Sequence, residues 1–288
     1  MNRPLECVKC LVNSRVSDAV RLGLQENEIS TLLEYIASLI RCRADRSTAF
    51  TDSFEFIKML VGREDPYENL KSSLRNLAYK LYNDVREAVS NAGLEEILYI
   101  AASSNFFDTQ VLGYEFKPET VCFEKVFSKP RIIVKNSIPR MIESADKIIY
   151  ILDNEGESVV DSIVINELLD RGFKVEVLVR SSAYEIDVCL KDTRTLPLKA
   201  PVKHTRTPLP PTYEGVDCSG DCIVVAKGIA NLEGFVDSRR CSCNILFLLR
   251  AKCPVLARTL GVELGEAVIM DKPSTLEIAD KLAVQDKL

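Results

Sequence analysis

Apolar residues recur with helical spacing through the first third of the chain, from Val16 to about Ala92. One stripe lies within residues 29–40, where Ser30 or Thr31 would be the N-cap. A second stripe follows the next proline and continues to the end of this region. Because the opposite faces are charged and poor in glycine, the pattern favours helices that pack on a core over helices that form a coiled coil.

The rest of the chain changes to short apolar runs rich in Ile and Val, which predict buried strands. These runs are residues 131–136, 147–153, 174–180, 222–228 and 266–270. Between the second and third runs, residues 157–169 have helical spacing, and Gly172 would end that helix. Strand, helix and strand in this order predict a right-handed βαβ unit and a parallel, doubly wound sheet. Ligands of such sheets bind at the carboxyl ends of the strands.

Residues 191–213 contain five prolines and predict a loop. The segment is also basic and rich in threonine. An ordinary surface connection is the favoured interpretation, and a mobile lid over an anionic ligand is the alternative.

Composition places the chain among globular proteins, with 47% apolar and 27% charged residues. Its formal net charge of −5 disfavours a nucleic-acid partner. Apolar runs are far shorter than the roughly 20 residues that a membrane-spanning helix needs, so we expect no membrane partner. The first residues include the acidic Glu6 and lack the apolar stretch of a signal peptide, which predicts a cytoplasmic protein.

The chain has ten cysteines but one histidine, His204, so a metal would be bound by carboxylate, amide or thiolate groups. Cys7 and Cys10 form half of a zinc knuckle, and a four-thiolate site would need another pair. Cys241 and Cys243 are separated by an unusually short gap of one residue. A structural clamp, a redox pair and inert thiols therefore all remain open, with inert or structural roles favoured.

Polar side chains follow the strand at 147–153, which ends in Asp153 and Asn154 before a turn and a helix. Carboxylate and amide oxygens suit Mg²⁺ or Mn²⁺, whereas the alternative is that these residues only cap the helix. Spacing alone does not separate the two. Asp187 follows the next strand and could complete a site of three oxygen ligands.

The strand at 222–228 ends in Lys227, and Asn231 and Glu233 follow it around two glycines. A cation and free backbone N–H groups at such a turn suit an anion such as phosphate. A solvated lysine beside ordinary turn residues is the alternative interpretation.

Four segments together resemble the damage-control phosphatase family, first catalogued as domain of unknown function 89, which includes the acidic-residue methyltransferase 1-like metal-binding domain. They are LDNEGE, KGIANLEGF, AASSNFFD (101–108) and LLRAKCPVLARTLGV (248–262). The resemblance extends over nearly the whole chain. It implies a helical N-terminal subdomain over residues 1–95 and a Rossmann-like three-layer α/β/α domain with a mainly parallel sheet over residues 96–288. It also implies a divalent metal (Mn²⁺, Ni²⁺, Co²⁺ or Mg²⁺) and small phosphorylated metabolites, such as sugar phosphates, as substrates.

The resemblance also assigns roles to individual residues. The implied metal ligands are Asp153, Asn154 and Asp187. The implied catalytic residues are Asp153, Asn154 and Lys227. The implied substrate-binding residues are Asn105, Asp108, Glu157, Lys227, Asn231 and Glu233. Cys7 and Cys10 match the prokaryotic branch, whereas Ile186 stands where many members have an asparagine.

Both lines of reasoning predict a metal-dependent phosphatase, a hydrolase of phosphomonoesters. The metal would polarise a phosphoryl oxygen and orient water, while Lys227 and backbone amides neutralise charge on the phosphoryl group. Direct attack of Asp153 on phosphorus is a second possible mechanism. An S-adenosylmethionine-dependent carboxyl methyltransferase is a rival function, although its glycine-rich turn is absent from the sequence. A non-enzymatic metabolite sensor is the third.

Overall fold

The computed structural model describes residues 5–106 and 129–285. The helices in these ranges are α1 (Leu5–Arg21), α2 (Glu26–Arg41), α3 (Arg46–Val61), α4 (Glu68–Tyr79), α5 (Tyr82–Asn91), α6 (Leu94–Ser103), α7 (Ile138–Glu143), α8 (Glu155–Asp170), α9 (Pro211–Glu214), α10 (Gly228–Ser238), α11 (Pro254–Leu260) and α12 (Lys272–Gln285). The strands are β1 (Arg131–Ile133), β2 (Lys147–Ile151), β3 (Val175–Val179), β4 (Val202–His204), β5 (Cys222–Lys227), β6 (Asn244–Arg250) and β7 (Ala267–Asp271).

The strands form one sheet of seven in the order β1-β7-β6-β5-β2-β3-β4. Neighbouring strands are parallel except for β6 and β7, which are antiparallel. The carboxyl ends of β2, β3, β5 and β6 therefore meet at one edge of the sheet. This arrangement confirms the predicted fold class with its mainly parallel sheet.

Both faces of the sheet are covered by helices, as alternating side chains of β2 show. Ile148 and Tyr150 belong to one apolar cluster, with residues of α5, α6, α7 and α8. Ile149 and Ile151 belong to another, with residues of α10, α11 and α12. Successive residues of a strand point to opposite faces, so this division produces the three-layer α/β/α arrangement.

The N-terminal helices divide between two cores. Helices α1, α2 and α3 form a separate apolar cluster that also contains Tyr184 and Ile186. Helix α4 contributes to both, with Leu74 in this cluster and Ala78 in the apolar core that covers the sheet on the α8 side, and α5 contributes to that second core. The proposed boundary between residues 95 and 96 stays a prediction.

Several element boundaries differ from those expected. The predicted N-caps Ser30 and Thr31 are wrong, because α2 begins earlier and Gln25 is its N-cap. The Gln25 N–H donates to Glu28 Oε2 at 2.7 Å, which satisfies one amide that the first helical turn leaves without a partner. The second apolar stripe forms two helices, α4 and α5, and not one. Gly172 adopts a positive φ of 93° after α8, as expected for a helix end.

Two strands were not expected from the sequence. The segment 191–213, predicted to be a loop, contains the short strand β4 at one edge of the sheet, where prolines are tolerated. Strand β6, residues Asn244–Arg250, is the second of these and is not among the predicted runs. Among residues 5–106 and 129–285, no helix has the length and apolar character to cross a membrane.

Candidate active site

Two backbone segments at the carboxyl edge of the sheet hold the predicted metal ligands together. Asp153 and Asn154 follow β2, and Asp187 lies in the loop after β3. The Glu155 N–H donates to the Ile186 carbonyl at 2.9 Å, and the Val188 N–H donates to the Asp153 carbonyl at 2.7 Å. These two bonds form an isolated antiparallel bridge that sets Asn154 opposite Asp187.

Asn105, which follows α6, fixes the orientation of Asp153 from behind. Its side-chain amide donates to Asp153 Oδ2 at 3.1 Å and to Glu157 Oε2 at 2.7 Å. Its Oδ1 accepts the Arg250 N–H at 3.0 Å. Asn105 is fully buried, so these bonds are protected from water.

Glu157 also accepts the backbone N–H of Asn154 at 3.1 Å, and Asn154 is the N-cap residue of α8. The Asn154 side chain donates to Asp153 Oδ2 at 3.1 Å. Asn154 thus caps α8 in a capping box with Glu157 while its side chain also contacts Asp153.

The Lys227 ammonium lies behind Asp153 in a closed group of polar side chains. It donates to both carboxylate oxygens of Asp161, at 2.7 and 2.9 Å, and lies 3.5 Å from Glu157 Oε2. Tyr150 donates to Asp161 Oδ1 at 2.6 Å. Burial opposes charge on Lys227, but the Asp161 and Glu157 carboxylates raise its pKa above the ordinary value. Lys227 is thus a charged, fully buried residue.

Gly228 brings the first turn of α10 against Asp153. Its φ is 77°, a conformation that side chains other than glycine rarely adopt. A Cβ atom at this position would overlap the Asp153 carboxylate. The glycine is therefore required for both the turn and the close approach.

A cavity of about 270 Å³ lies between this edge of the sheet and helices α1 and α3. Its cationic lining residues are Lys9, Arg46, Arg180 and Lys252. Its acidic lining residues are Glu6, Asp153, Glu185, Asp187 and Glu233. A cavity with convergent groups of both charges suits an anionic ligand together with a cation.

Arg180, the residue after β3, connects this cavity with the metal-ligand segment. Its Nε donates to Asp187 Oδ2 at 2.7 Å. The guanidinium also lies over the Tyr184 ring, 4.3 Å from its centroid. Arg180 is 4% exposed, which makes this a shielded ion pair.

Glu233 also lines the cavity, and its Oε2 lies 2.8 Å from Arg46 Nε. Burial raises the pKa of Glu233 to about 7, although Arg46 opposes that increase. Asn231 instead donates its side-chain amide to the Lys227 carbonyl at 2.9 Å, inside the first turn of α10.

The predicted site residues therefore form two groups, one that lines the cavity and one that lies behind it. The cavity is lined by Asp153, Asn154, Asp187 and Glu233. The layer behind it contains Asn105, Glu157, Lys227 and Asn231. Asp108 lies outside the described residues.

Comparison with known proteins gives the family. The model of the damage-control phosphatase ARMT1-like domain matches residues 4–205 and 217–268. The chain belongs to this family. The resemblance inferred from its motifs is confirmed, together with the expected class of enzyme, a hydrolase of phosphate esters.

Relatives match over most of their length. A damage-control phosphatase of Archaeoglobus fulgidus is 26% identical over 283 residues, which cover 91% of this chain and 96% of that protein. A damage-control phosphatase of Pyrococcus horikoshii is 24% identical over 289 residues, 92% of this chain and 96% of that protein. A crystal structure of a DUF89 (domain of unknown function 89) family protein from Pyrococcus horikoshii aligns with a TM-score of 0.76 at 24% identity. The alignment covers 94% of this chain and 99% of the other. This likeness shows a shared fold.

The donor set in this family member suits a divalent metal. Asp153, Asn154 and Asp187 present two carboxylates and one amide, the hard oxygen ligands that such ions prefer. The backbone bridge fixes their separation, and the absent Cβ of Gly228 leaves room for the Asp153 carboxylate. The family and these side chains together indicate a divalent metal cofactor.

The sequence did not single out several residues of the site. Arg180 follows β3 and Lys252 follows β6. Because ligands of parallel sheets bind at the carboxyl ends of the strands, both residues could have been predicted from the sequence. Asp161 lies four residues after Glu157, which places the two on one face of α8. Arg46 and Glu185 gave no local signal, because their positions depend on how the helical segment packs against the sheet.

The Cys7–Cys10 pair lies at the cavity and not with Cys241 and Cys243. Cys7, Cys10 and Cys253 all line the cavity. Burial raises the pKa of the Cys7 and Cys10 thiols, and Arg46 opposes the increase. Cys253 is the N-cap of α11, and Pro254 is the first residue of that helix.

Proposed function

We propose that this protein hydrolyses small phosphomonoesters with a divalent metal bound by Asp153, Asn154 and Asp187. The bridge between the segments 153–155 and 186–188 carries this proposal, because it holds three oxygen ligands at a cavity that cations also line. The metal candidates remain Mn²⁺, Ni²⁺, Co²⁺ and Mg²⁺, all of which accept such ligands.

The metal, when bound, would supply Lewis-acid polarisation of a phosphoryl oxygen. Arg180 and Lys252 line the same cavity and would neutralise negative charge on the phosphoryl group. Arg180 already orients Asp187 through its Nε, which fixes one carboxylate oxygen. The chain thus supplies both the oxygen ligands and the cations that a phosphate ester needs.

Leaving-group protonation requires an acid near neutral pH. Glu233 lines the cavity and has a pKa raised to about 7 by burial. We assign it the role of donating a proton to the departing alkoxide oxygen. This role extends the substrate-binding assignment that its motif implied.

Lys227 is assigned to substrate by the family motif, but its contacts support a positioning role as well. Its ammonium binds Asp161 and approaches Glu157, and Glu157 shares Asn105 with Asp153. The buried charge of Lys227 would thereby hold Glu157 in place and keep Asp153 oriented. Asn231 holds the turn that begins at Lys227.

The size of the cavity favours a small metabolite, because about 270 Å³ is near the lower limit of ligand pockets. Sugar phosphates and other damaged or surplus phosphometabolites are the proposed substrate class. The cytoplasmic location and the lack of nucleic-acid and membrane partners stay predictions.

The deciding experiment measures phosphate release by the full-length protein. Chelated protein should be inactive, and added Mn²⁺, Ni²⁺, Co²⁺ or Mg²⁺ should restore turnover of p-nitrophenyl phosphate or a sugar phosphate. Asp153→Ala should abolish turnover while circular dichroism shows a folded protein. Asp170→Ala is the matched control, since Asp170 is 60% exposed and pairs with surface Lys199. Equal activity of wild type and Asp153→Ala would disprove the proposed role.

A further inference from the structure

Four cysteines lie at the edge of the sheet opposite the candidate active site. Cys222 is the first residue of β5, and Cys241 and Cys243 immediately precede β6. Cys218 lies in the segment before β5. Strand β5 runs from this cluster to Lys227, a rise of about 17 Å at about 3.3 Å per residue. The cluster is therefore separate from the carboxylate site.

The sulfur atoms of these cysteines are close enough to share one ion. Cys218 Sγ lies 3.8 Å from Cys241 Sγ, and Cys222 Sγ lies 3.2 Å from Cys243 Sγ. The Sγ atoms of Cys218, Cys222 and Cys243 all lie within 4.8 Å of one another. A tetrahedral ion with bonds of about 2.3 Å holds its sulfur ligands about 3.8 Å apart. The Cys218–Cys241 distance already equals this value, whereas the Cys222 and Cys243 sulfurs lie closer and the Cys218–Cys243 disulfide must open to reach it.

Two groups beside the sulfurs would stabilise thiolates, whereas burial opposes them. The Cys243 N–H donates to Cys218 Sγ at 3.0 Å. The Lys272 ammonium binds the carbonyls of Cys241, Ser242 and Cys243 at 2.9, 2.9 and 3.1 Å, which places a positive charge beside the loop. Burial raises the pKa of the Cys241 thiol, and Lys272 opposes that increase. An ion bound to these sulfurs would offset the cost of burying their charge.

The sequence spacing is compatible with a metal site. Cys218 and Cys222 are separated by three residues, within the usual range for zinc ligands. The short Cys241–Cys243 gap looked unusual in the sequence, but here both sulfurs approach the first pair from the loop before β6. The second pair that a four-thiolate site needs is thus supplied by Cys218 and Cys222, and not by Cys7 and Cys10.

We propose that Cys218, Cys222, Cys241 and Cys243 bind Zn²⁺ as a closed tetrahedral thiolate site. The structure joins Cys218 and Cys243 in a disulfide, so the metal-binding form is the reduced one. A phosphine reductant donates two electrons that break the S–S bond and becomes a phosphine oxide with the oxygen atom of water. The two protons of that water convert the two sulfurs into thiols. Zn²⁺ then forms four Zn–S bonds, and the four thiol protons pass to solvent.

The proposed zinc site would cross-link the segment before β5 to the loop before β6. Cys222, Cys241 and Cys243 are buried in the apolar cluster on this face of the sheet, so a closed site without a water ligand is expected. Its role would be structural. A disulfide between Cys218 and Cys243 would fasten the same two segments with two of the four sulfurs.

The test uses the full-length protein, reduced with a phosphine, and Co²⁺ as a spectroscopic probe. Tetrahedral thiolate coordination should give intense sulfur-to-cobalt charge-transfer absorption and visible d–d bands at one equivalent of Co²⁺. Zn²⁺ should remove these bands and raise the melting temperature. Failure of the reduced wild type to give thiolate bands would overturn the proposal without reference to any variant.

Variants locate the site. Cys222→Ser and Cys241→Ser should weaken or abolish the bands, whereas Cys42→Ser, at an exposed position outside the cluster, should retain them. Asp153→Asn should also retain them, which separates this site from the proposed catalytic metal. Bands that survive in both Cys222→Ser and Cys241→Ser but vanish in Cys10→Ser would place the thiolate ligands at the cavity and refute the assignment.

Discussion

Asn154 and Asp187 lie opposite each other in an isolated antiparallel bridge between two loops at the carboxyl edge of the sheet. The flanking bonds, from Glu155 N–H to Ile186 O and from Val188 N–H to Asp153 O, are 2.9 and 2.7 Å long. Because the backbone sets the separation, the proposed oxygen ligands would be preorganised for a metal before it binds. Substitution of a side chain should therefore change affinity without rearranging the loops.

Asp187→Asn tests this separation of backbone and side chain. The variant removes one anionic ligand and leaves Arg180 without its carboxylate partner, while the bridge stays intact. We expect Mn²⁺ affinity, measured by calorimetric titration, to fall at least about 10-fold, and kcat/KM about 100-fold. Asp170→Asn, a surface carboxylate on α8, should change neither value. Unchanged Mn²⁺ affinity in Asp187→Asn would remove Asp187 from the ligand set.

Gly228→Ala tests the contact between α10 and Asp153. A Cβ atom would overlap the Asp153 carboxylate, and the φ of 77° adds backbone strain. Gly23→Ala is the matched control, because its φ is 81° and a Cβ atom there would meet nothing within 4 Å. Both variants should lose about 1–2 kcal/mol of unfolding free energy through strain. Only Gly228→Ala should also lose metal binding and turnover, as measured by titration and phosphate release.

The periodicity of apolar residues predicts the central strands of the sheet but not all of its edge strands. The buried strands β2, β3 and β5 are nearly continuous apolar runs, so the sequence reveals them and the polar residues that follow. Strand β4 has only three residues and lies among prolines, and its pairing with β3 is a tertiary effect. Local pattern carries little information about such a strand.

The candidate site likewise contains residues that the sequence predicts and residues that it does not. Asp153, Asn154 and Asp187 follow predicted strands, so the rule for parallel sheets brings them to one edge. The partners of Lys227 could not be predicted from its motif, because they come from α8, far along the chain. Arg46 and Glu185 require knowledge of how α3 packs against the sheet, which no local pattern provides.

Lys227→Met separates the two roles considered for this lysine. Its removal leaves Asp161 and Glu157 buried without their cation, which should cost about 3–5 kcal/mol of unfolding free energy. We expect Mn²⁺ affinity to change little and kcat/KM to fall about 100-fold or more. The double variant Lys227→Met/Asp161→Asn should recover stability but not turnover. Recovery of turnover along with stability would show that Lys227 serves only the fold.

Arg15→Met tests whether helix α1 supports residues 184–187, which include the proposed metal ligand Asp187. Arg15 is fully buried, pairs with Asp18, lies 2.7 Å from Glu185 Oε1 and donates to Tyr184 Oη at 2.9 Å. Its loss should cost about 3–5 kcal/mol and weaken Mn²⁺ binding, since residues 184 and 185 lead directly into Asp187. Arg21→Met, an exposed arginine of the same helix, should change neither chemical denaturation nor Mn²⁺ titration. Lost stability with unchanged metal affinity would disprove the coupling.

Glu233 should make the metal-free protein less stable as the pH rises. Burial raises its folded-state pKa to about 7 from an ordinary value of 4.5, so the folded state retains a proton that the unfolded state releases. The free energy of unfolding should therefore decrease between about pH 4.5 and 7. Above about pH 7, Glu233 should cause no further decrease. The side chain is 22% exposed and Arg46 opposes the shift, so we expect about 1–2 kcal/mol from this residue.

Urea denaturation with chelator present, at intervals from pH 4.5 to 8, measures this effect as the difference between wild type and Glu233→Gln. The variant keeps the shape of the side chain but cannot titrate, so its unfolding free energy should decrease less across the window. Glu68→Gln, at an exposed position on α4, provides the control for loss of a surface carboxylate. If Glu233 also donates the proton to the leaving group, Glu233→Gln should lower kcat most for substrates with basic leaving groups and little for p-nitrophenyl phosphate. A steeper decrease of stability with pH in Glu233→Gln than in wild type would show that Arg46, and not burial, determines the protonation of this carboxyl group.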